Sequence, residues 1–315
     1  MYQAPSTTTT AARAAALDIE RVDRGVEEAI RAREAGSLRV LGYGEISLVL
    51  GWPPERPELA VKRLPPFRDR RQLDRYADLV DRYTAALRRR GVRVVQTELR
   101  TVHAGGGEQR AYMVQPLVPR ERQLNVLLRD AAPQAGAELL DRLAEQVALA
   151  VDDELGLDAQ ASNWAVEDGG LACFDVSTPL MRSRDGRHEL DLSLFLSIYP
   201  WALRAALVPV AHSVMAQYHD PRTVLLDTAS NLVKERLERW LPAFLEAAAA
   251  RVPPPIDERE VRRYFARDKR LWLLMQRLRR ADRAWQSRVR RRSYPFLLPP
   301  PYHYGPPELP ESEPR

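Results

Sequence analysis

The sequence predicts an α+β chain: a small antiparallel sheet built early, then helices, interrupted once by a late two-stranded hairpin. Three observations carry this prediction. Apolar residues between 38 and 117 fall in short β-like runs separated by turn residues. From Glu121 onward they recur mostly at helical spacing. Within that helical part, residues 155–181, LGLDAQASNWAVEDGGLACFDVSTPLM, hold two short apolar runs, 163–166 and 171–174, around Glu167-Asp168-Gly169-Gly170. Acidic and glycine residues between apolar runs form a tight hairpin turn.

The chain has 315 residues, 45% of them apolar, and a formal net charge of +5. That suffices for a sizeable core in one large domain or two lobes and argues against wholesale disorder. Cys173 is the single cysteine, so no disulfide framework exists, as suits a reducing cytosol. Residues 1–10 lack the basic-then-apolar order of a signal peptide. No stretch reaches the roughly 18 unbroken apolar residues of a membrane span. The expectation is a cytoplasmic protein that does not cross a membrane.

Taken in order, residues 11–35 predict a helix with Leu17, Ile19, Val22, Val26 and Ile30 on one stripe, ended by Gly36-Ser37. Residues 38–41 and 46–50 predict two strands joined by Gly42-Tyr43-Gly44-Glu45. Two glycines between strands let backbone N–H groups close over phosphates; a plain hairpin turn is the alternative. Residues 59–64, LAVKRL, predict a third strand carrying Lys62. Residues 67–90 predict an amphipathic helix striped by Leu73, Tyr76, Ala77, Val80, Tyr83 and Leu87. Two further strands, 92–103 and 110–117, are joined by a glycine-rich connection.

Residues 122–130 and 137–155 predict helices, the second delivering the chain to Asp158. Asp158 and Asn163 lie in the polar loop before the hairpin, and Asp175 just after its second strand. The three oxygen-bearing groups therefore fall at one end of the ribbon, and converging oxygen ligands are what Mg²⁺ requires. After a short polar loop, 182–189, residues 190–250 predict mainly helix, with Leu192, Leu194, Phe195, Ile198, Trp201 and Leu207 as core and Pro200 and Pro209 as punctuation. Asp227 and Asn231 predict the cap of a helix over 232–241. His188, His212 and His219 show no cysteine or carboxylate spacing that implies zinc and read as ordinary residues.

The order glycine turn, strand lysine, Asp-x4-Asn, strand aspartate resembles the protein-kinase-like superfamily. Its small-molecule members, the aminoglycoside and choline phosphotransferases, are the nearest in style, and the chain also resembles an uncharacterised bacterial kinase-like family. Leu59-Ala60-Val61-Lys62 is similar to the third-strand lysine signature, Asp158-Ala-Gln-Ala-Ser-Asn163 to the catalytic loop, and Phe174-Asp175 to the metal-binding aspartate. The sequence departs from protein kinases at Gly156-Leu157, where they carry His-Arg, at Val176-Ser177, where they carry Phe-Gly, and at Ser47, the place of the third loop glycine.

The resemblance implies a bilobal protein-kinase-like fold. A tail and helix (1–36) precede a nucleotide-binding N-lobe (37–118) of five antiparallel strands and one helix, then a helical C-lobe with the catalytic loop (119–256). It implies ATP and Mg²⁺ as cofactors. Lys62 would hold phosphates beneath the turn carrying Gly42, Gly44 and Ser47, while Gln115 and Leu117 line the adenine hinge. Asn163 and Asp175 would bind metal, and Asp158 would be the catalytic base. It implies that Asp78 or Asp81 pairs with Lys62. The short 182–189 loop favours a small hydroxyl-bearing metabolite over a protein as acceptor. The altered motifs keep a second reading open, a pseudokinase or nucleotide-binding scaffold without turnover.

Strand alternation sets Cys173 on the same side as Asp175, either bordering a nucleotide cleft or as an inert core thiol. Residues 257–292 are the most basic stretch, with Tyr264, Phe265, Leu271, Trp272, Leu274, Met275, Leu278 and Trp285 among the arginines. One face packs on the body; the other is solvated or docks an anionic partner such as a nucleic acid, an acidic substrate or an anionic surface. Residues 293–315 form a Pro-rich tail in which Tyr294, Phe296, Tyr302 and Tyr304 fold onto the body or bind a partner.

Overall fold

The computed structural model describes residues 16–288 apart from 33, 44–46, 105–106, 169, 198 and 200. Gly44 and Glu45 of the glycine turn, Ile198, Pro200 and the tail aromatics lie outside the described residues. The first helix is described over Ile19–Ala32 (α1).

The expected five-stranded antiparallel sheet is present. Its order is β1 (Val40–Tyr43), β2 (Leu48–Trp52), β3 (Leu59–Arg63), β6 (Gln109–Pro116) and β5 (Glu98–His103). Alternation along β3 buries Leu59, Val61 and Arg63 on one face and turns Ala60 and Lys62 to the other. Helix α1 covers the first face, packing Val22, Val26 and Ile30 against Leu50, Val61 and Val114. Charges sew its edge. The Asp23 carboxylate accepts from Arg110 at 2.9 Å and from the Tyr112 hydroxyl at 2.6 Å, and Glu27 accepts from Arg63 at 2.6 Å. On the second face lies α2 (Arg70–Arg89), started by the Asp69 side chain accepting from the Gln72 N–H at 2.7 Å. Its Leu73, Tyr76, Leu79 and Val80 pack with Ala111 and Met113.

The sequence-predicted strand over 92–103 is two strands in two sheets. β4 (Arg93–Val94) runs parallel to β8 (Gly170–Cys173), which pairs antiparallel with β7 (Trp164–Glu167). The Val95 N–H donates to the Cys173 carbonyl at 2.9 Å, and the Val95 side chain packs with Ala165 and Ala172. The late hairpin thus captures the chain before it turns to join β6. The hairpin itself forms as expected. Asp168 supplies a positive φ of 46° at its turn, the left-handed conformation that such two-residue connections need.

The helical part contains α3 (Leu124–Asp130), α4 (Pro133–Ala150), α5 (Leu192–Leu196), α6 (Trp201–Gln217), α7 (Pro221–Lys234), α8 (Leu241–Ala249) and α9 (Glu258–Arg288). Leu124, Leu140, Val147, Trp164, Leu225 and Phe244 lie in its main core. Several expectations are corrected. The helix predicted from 137 starts at Pro133, whose fixed φ suits a first helical position. Pro209 does not interrupt α6, and Leu207 is half-buried rather than core. No helix spans 232–241 behind an Asp227/Asn231 cap. Instead Asp220 caps α7, accepting from the Thr223 N–H at 2.9 Å ahead of Pro221, and Asp227 and Asn231 bond to each other inside that helix at 3.1 Å. Asp-Pro is a cap followed by a first-position proline, and it outranks a later Asp/Asn pair. On α9, Val261 is buried in the main core, but Leu274 and Trp285 stand exposed while Gln276, Arg279 and Asp282 are buried. Among the described residues, no helix is long and apolar enough to cross a membrane.

Candidate active site

Lys62 points from the face of β3 on which α2 lies to Asp175, which follows β8. The Lys62 ammonium donates to both carboxylate oxygens of Asp175, at 2.8 and 2.7 Å, across 113 positions of sequence. The Ser177 N–H and hydroxyl donate to one of those oxygens at 3.1 and 2.7 Å. Burial alone would raise the Asp175 carboxyl. The charge and hydrogen bonds of Lys62, with those of Ser177, outweigh it and hold the carboxyl below its usual range. From α2, the buried Tyr76 hydroxyl donates to the Ser177 carbonyl at 2.8 Å and steadies the same turn.

The Asp158–Asn163 loop lies against this segment. The Phe174 N–H donates to the Asn163 carbonyl at 3.0 Å, which joins the loop to the residue before Asp175. The Asn163 amide nitrogen donates to the Asp158 carbonyl at 3.3 Å, and the Gln160 N–H reaches the Asp158 carboxylate at 3.4 Å. Behind the loop, Gly156 donates to Leu180 at 2.8 Å and Leu157 to the Tyr218 carbonyl at 3.2 Å. A Cβ on Gly156 would meet that Tyr218 oxygen at 2.8 Å, so close backbone approach accounts for glycine there. The Thr228 hydroxyl of α7 donates to the Ala159 carbonyl at 3.3 Å. Burial, then the charges of Asp158 and Asp268, push the neighbouring Asp227 up to about 7.

The remaining candidates divide. The Gln115 side chain donates to the Phe174 carbonyl at 2.6 Å and the Thr97 hydroxyl at 2.7 Å, tying β6 to the Asp175 segment. The Leu117 N–H is spent on the Glu58 carbonyl at 2.9 Å. Gly42 sits within β1 next to an irregularity in its pairing with β2, and Ser47 precedes β2 half-buried. Neither Asp78 nor Asp81 pairs with Lys62. Both are exposed, and Asp78 takes Arg82 at 2.9 Å. The helical stripe of α2 turns Tyr76, Leu79, Val80 and Tyr83 inward, so an acid at 78 or 81 faces water.

Sequence reasoning missed Tyr76, Ser177, Thr228 and Asp227. Ser177 carried a signal, since an aspartate often takes the N–H two residues on in an Asx turn; the others carried none. As a donor set, the Asp175 carboxylate and the Asn163 side-chain oxygen fit Mg²⁺. That ion takes one or two protein oxygens and completes its shell with phosphate and water. Among the described residues, no group of three or more His, Cys, Asp or Glu side chains is arranged to hold a metal.

A family model described as a family of unknown function, DUF6206, matches residues 21–283. No curated protein matches the chain. Among solved structures, one described as WaaP in complex with acyl carrier protein is similar at 17% identity and a TM-score of 0.32, covering 68% of this chain and 92% of that one.

Proposed function

The chain belongs to DUF6206, a family of unknown function, so its activity has to be read from its own residues, and we propose that it is a kinase-like phosphotransferase using Mg-ATP on a small hydroxyl-bearing acceptor. In this reading the five-stranded sheet with α2 is an N-lobe, the later helices are a C-lobe, and the site lies between them. The observation that carries it is the bidentate Lys62–Asp175 pair beside the Asp158–Asn163 loop. Lys62 would hold the phosphate oxygens, and Asp175 with Asn163 would hold the metal. Mg²⁺, when bound, neutralises charge on the transferring phosphoryl group. Asp158 orients the acceptor hydroxyl and takes its proton. The backbone N–H groups of Gly42 and Ser47, on either side of the turn, would cover the phosphates. Gln115 keeps the Asp175 segment against the sheet, and the hinge offers the Leu117 carbonyl.

A second reading, nucleotide binding without turnover, is favoured by one observation. With Asp78 and Asp81 facing water, neither expected helix acid is placed to hold Lys62 once Asp175 turns to the metal. Thermal melting with and without Mg-ATP tests the site. The wild type melts higher by mass action; Asp175→Asn loses that rise while staying folded; Asp158→Asn keeps it but transfers phosphate about 10²-fold more slowly or worse. A wild type indifferent to millimolar Mg-ATP would overturn both readings. A rise without turnover selects the second.

A further inference from the structure

Three histidines that look unrelated in sequence meet in the fold. The His188 ring lies 5.3 Å from that of His219 and 5.8 Å from that of His212, centroid to centroid. His188 pairs by a β-bridge with Arg182 across the tight turn that follows Met181, His212 lies in α6, and His219 lies just past its end. His219 is only 3% exposed; its ring reaches the Asp152 backbone carbonyl, but neither ring nitrogen has a hydrogen bond of normal geometry. The buried Nε of Arg182 lacks one too. Nearby carboxylates are committed elsewhere: Asp152 to Arg90, and Glu189 to Arg82 at 2.6 Å.

The Asp152 backbone carbonyl serves His219 only weakly, and the buried Arg182 Nε beside the rings has no acceptor, so the cluster holds more donor capacity than the protein satisfies. A metal ion does not answer the need, because Arg182 repels it and these histidines do not form a metal-holding group. A tetrahedral oxyanion does, because guanidinium and imidazole N–H groups recognise its oxygens with charge-assisted hydrogen bonds. We propose that Arg182, His188, His212 and His219 form a binding site for a phosphate-type oxyanion, either free phosphate or the phosphoryl group of a small metabolite. The site is separate from the Lys62–Asp175 pair and stands whether or not the protein transfers phosphate. Its occupant reaches the catalytic loop through the chain: the carbonyl of Tyr218, next to His219, holds the Leu157 N–H just before Asp158.

The charges facing the cluster set its pH dependence. Burial, then Arg182 and His188, push His219 down to about 4; Asp152 opposes them more weakly. Burial, Arg182 and His212 lower His188. A bound oxyanion favours the protonated rings and raises both values, so the rings take up protons on binding.

The test is thermal melting of the full chain against inorganic phosphate at constant ionic strength, with chloride as the matched salt, at about pH 6 and about pH 8. The wild type is expected to show a saturable rise that disappears in Arg182→Gln and weakens several-fold in His212→Gln. No rise beyond the chloride control, or an equal rise in Arg182→Gln, overturns the proposal. Should Arg182→Gln fail to fold, the exposed His212→Gln decides, and an undiminished rise in it overturns the proposal. Stabilisation by Zn²⁺, reversed by a chelator, with none by phosphate would also overturn it. A glycerol phosphate arm identifies the source. Tighter binding than inorganic phosphate points to a phosphorylated metabolite and weaker binding to the free ion, and either result upholds the site.

Discussion

Cys173 and Asp175 lie two positions apart yet serve different surroundings. Asp175 remains partly open, its side chain 31% exposed beside Lys62. Cys173 is fully buried in the main core, where its thiol donates to the Asp175 carbonyl at 3.6 Å. Burial, with the charge of Asp175 adding to it, pushes the thiol well above its usual range. The thiolate is the reactive form, so an inert core cysteine is the outcome of the two that the sequence left open. Small alkylating reagents are expected to leave the folded protein unmodified, with or without nucleotide, and to add one label after denaturation. Intact mass reads this directly, and rapid native labelling would contradict the burial of β8.

Between elements, a close fit joins α4 to the turn before α8. Trp240 is 5% exposed, donates its indole N–H to the Leu128 carbonyl at 2.7 Å, and lies over Gly136. Arg239 beside it donates to the carbonyls of Leu128 and Arg129 at 2.7 and 2.6 Å, closing the end of α3. A Cβ on Gly136 would stand 2.0 Å from the Trp240 ring. Gly→Ala within a helix ordinarily gains up to about 1 kcal/mol. Here overpacking outweighs that gain, and Gly136→Ala is expected to cost about 2 kcal/mol. Urea unfolding checks the sign: a midpoint that rises would mean that the indole moves away freely. The glycine looked like a helix-weakening residue in sequence, because the ring that requires it comes from a distant turn.

Across the whole molecule, two titratable groups oppose each other in their response to pH. The folded-state value of Asp227, raised to about 7, makes a contribution to stability that is full below the ordinary carboxylate value and lost as pH rises through about 7. His219, lowered to about 4, contributes stability that is full above the ordinary imidazole value and lost as pH falls toward about 4. Between those limits the two slopes have opposite sign, each at most about 1.4 kcal/mol per pH unit, and the stability curve flattens. Asp227→Asn removes one slope. Its stability is therefore expected to climb with pH through the mildly acidic range more steeply than that of the wild type. Unfolding free energies measured across that range decide it, and parallel curves would mean that Asp227 titrates normally.

Local patterns were enough to place the early strands, α1, α2, the late hairpin, and the order in which Lys62, Asp158, Asn163 and Asp175 arrive, while the five-stranded pairing came from the family resemblance. Side-chain periodicity and turn chemistry act over a few residues, and a sequence displays them openly. They did not reveal that Lys62 takes Asp175 instead of an acid of α2, because a helix stripe states which face is apolar but not where that face will dock. They did not split 92–103 between two sheets, since the partner that captures β4 lies far along the chain. Nor did they gather His188, His212 and His219, whose meeting depends on how the turn after Met181 and the end of α6 pack together. Such encounters cost chain entropy that the whole core repays, so the tertiary structure alone decided them.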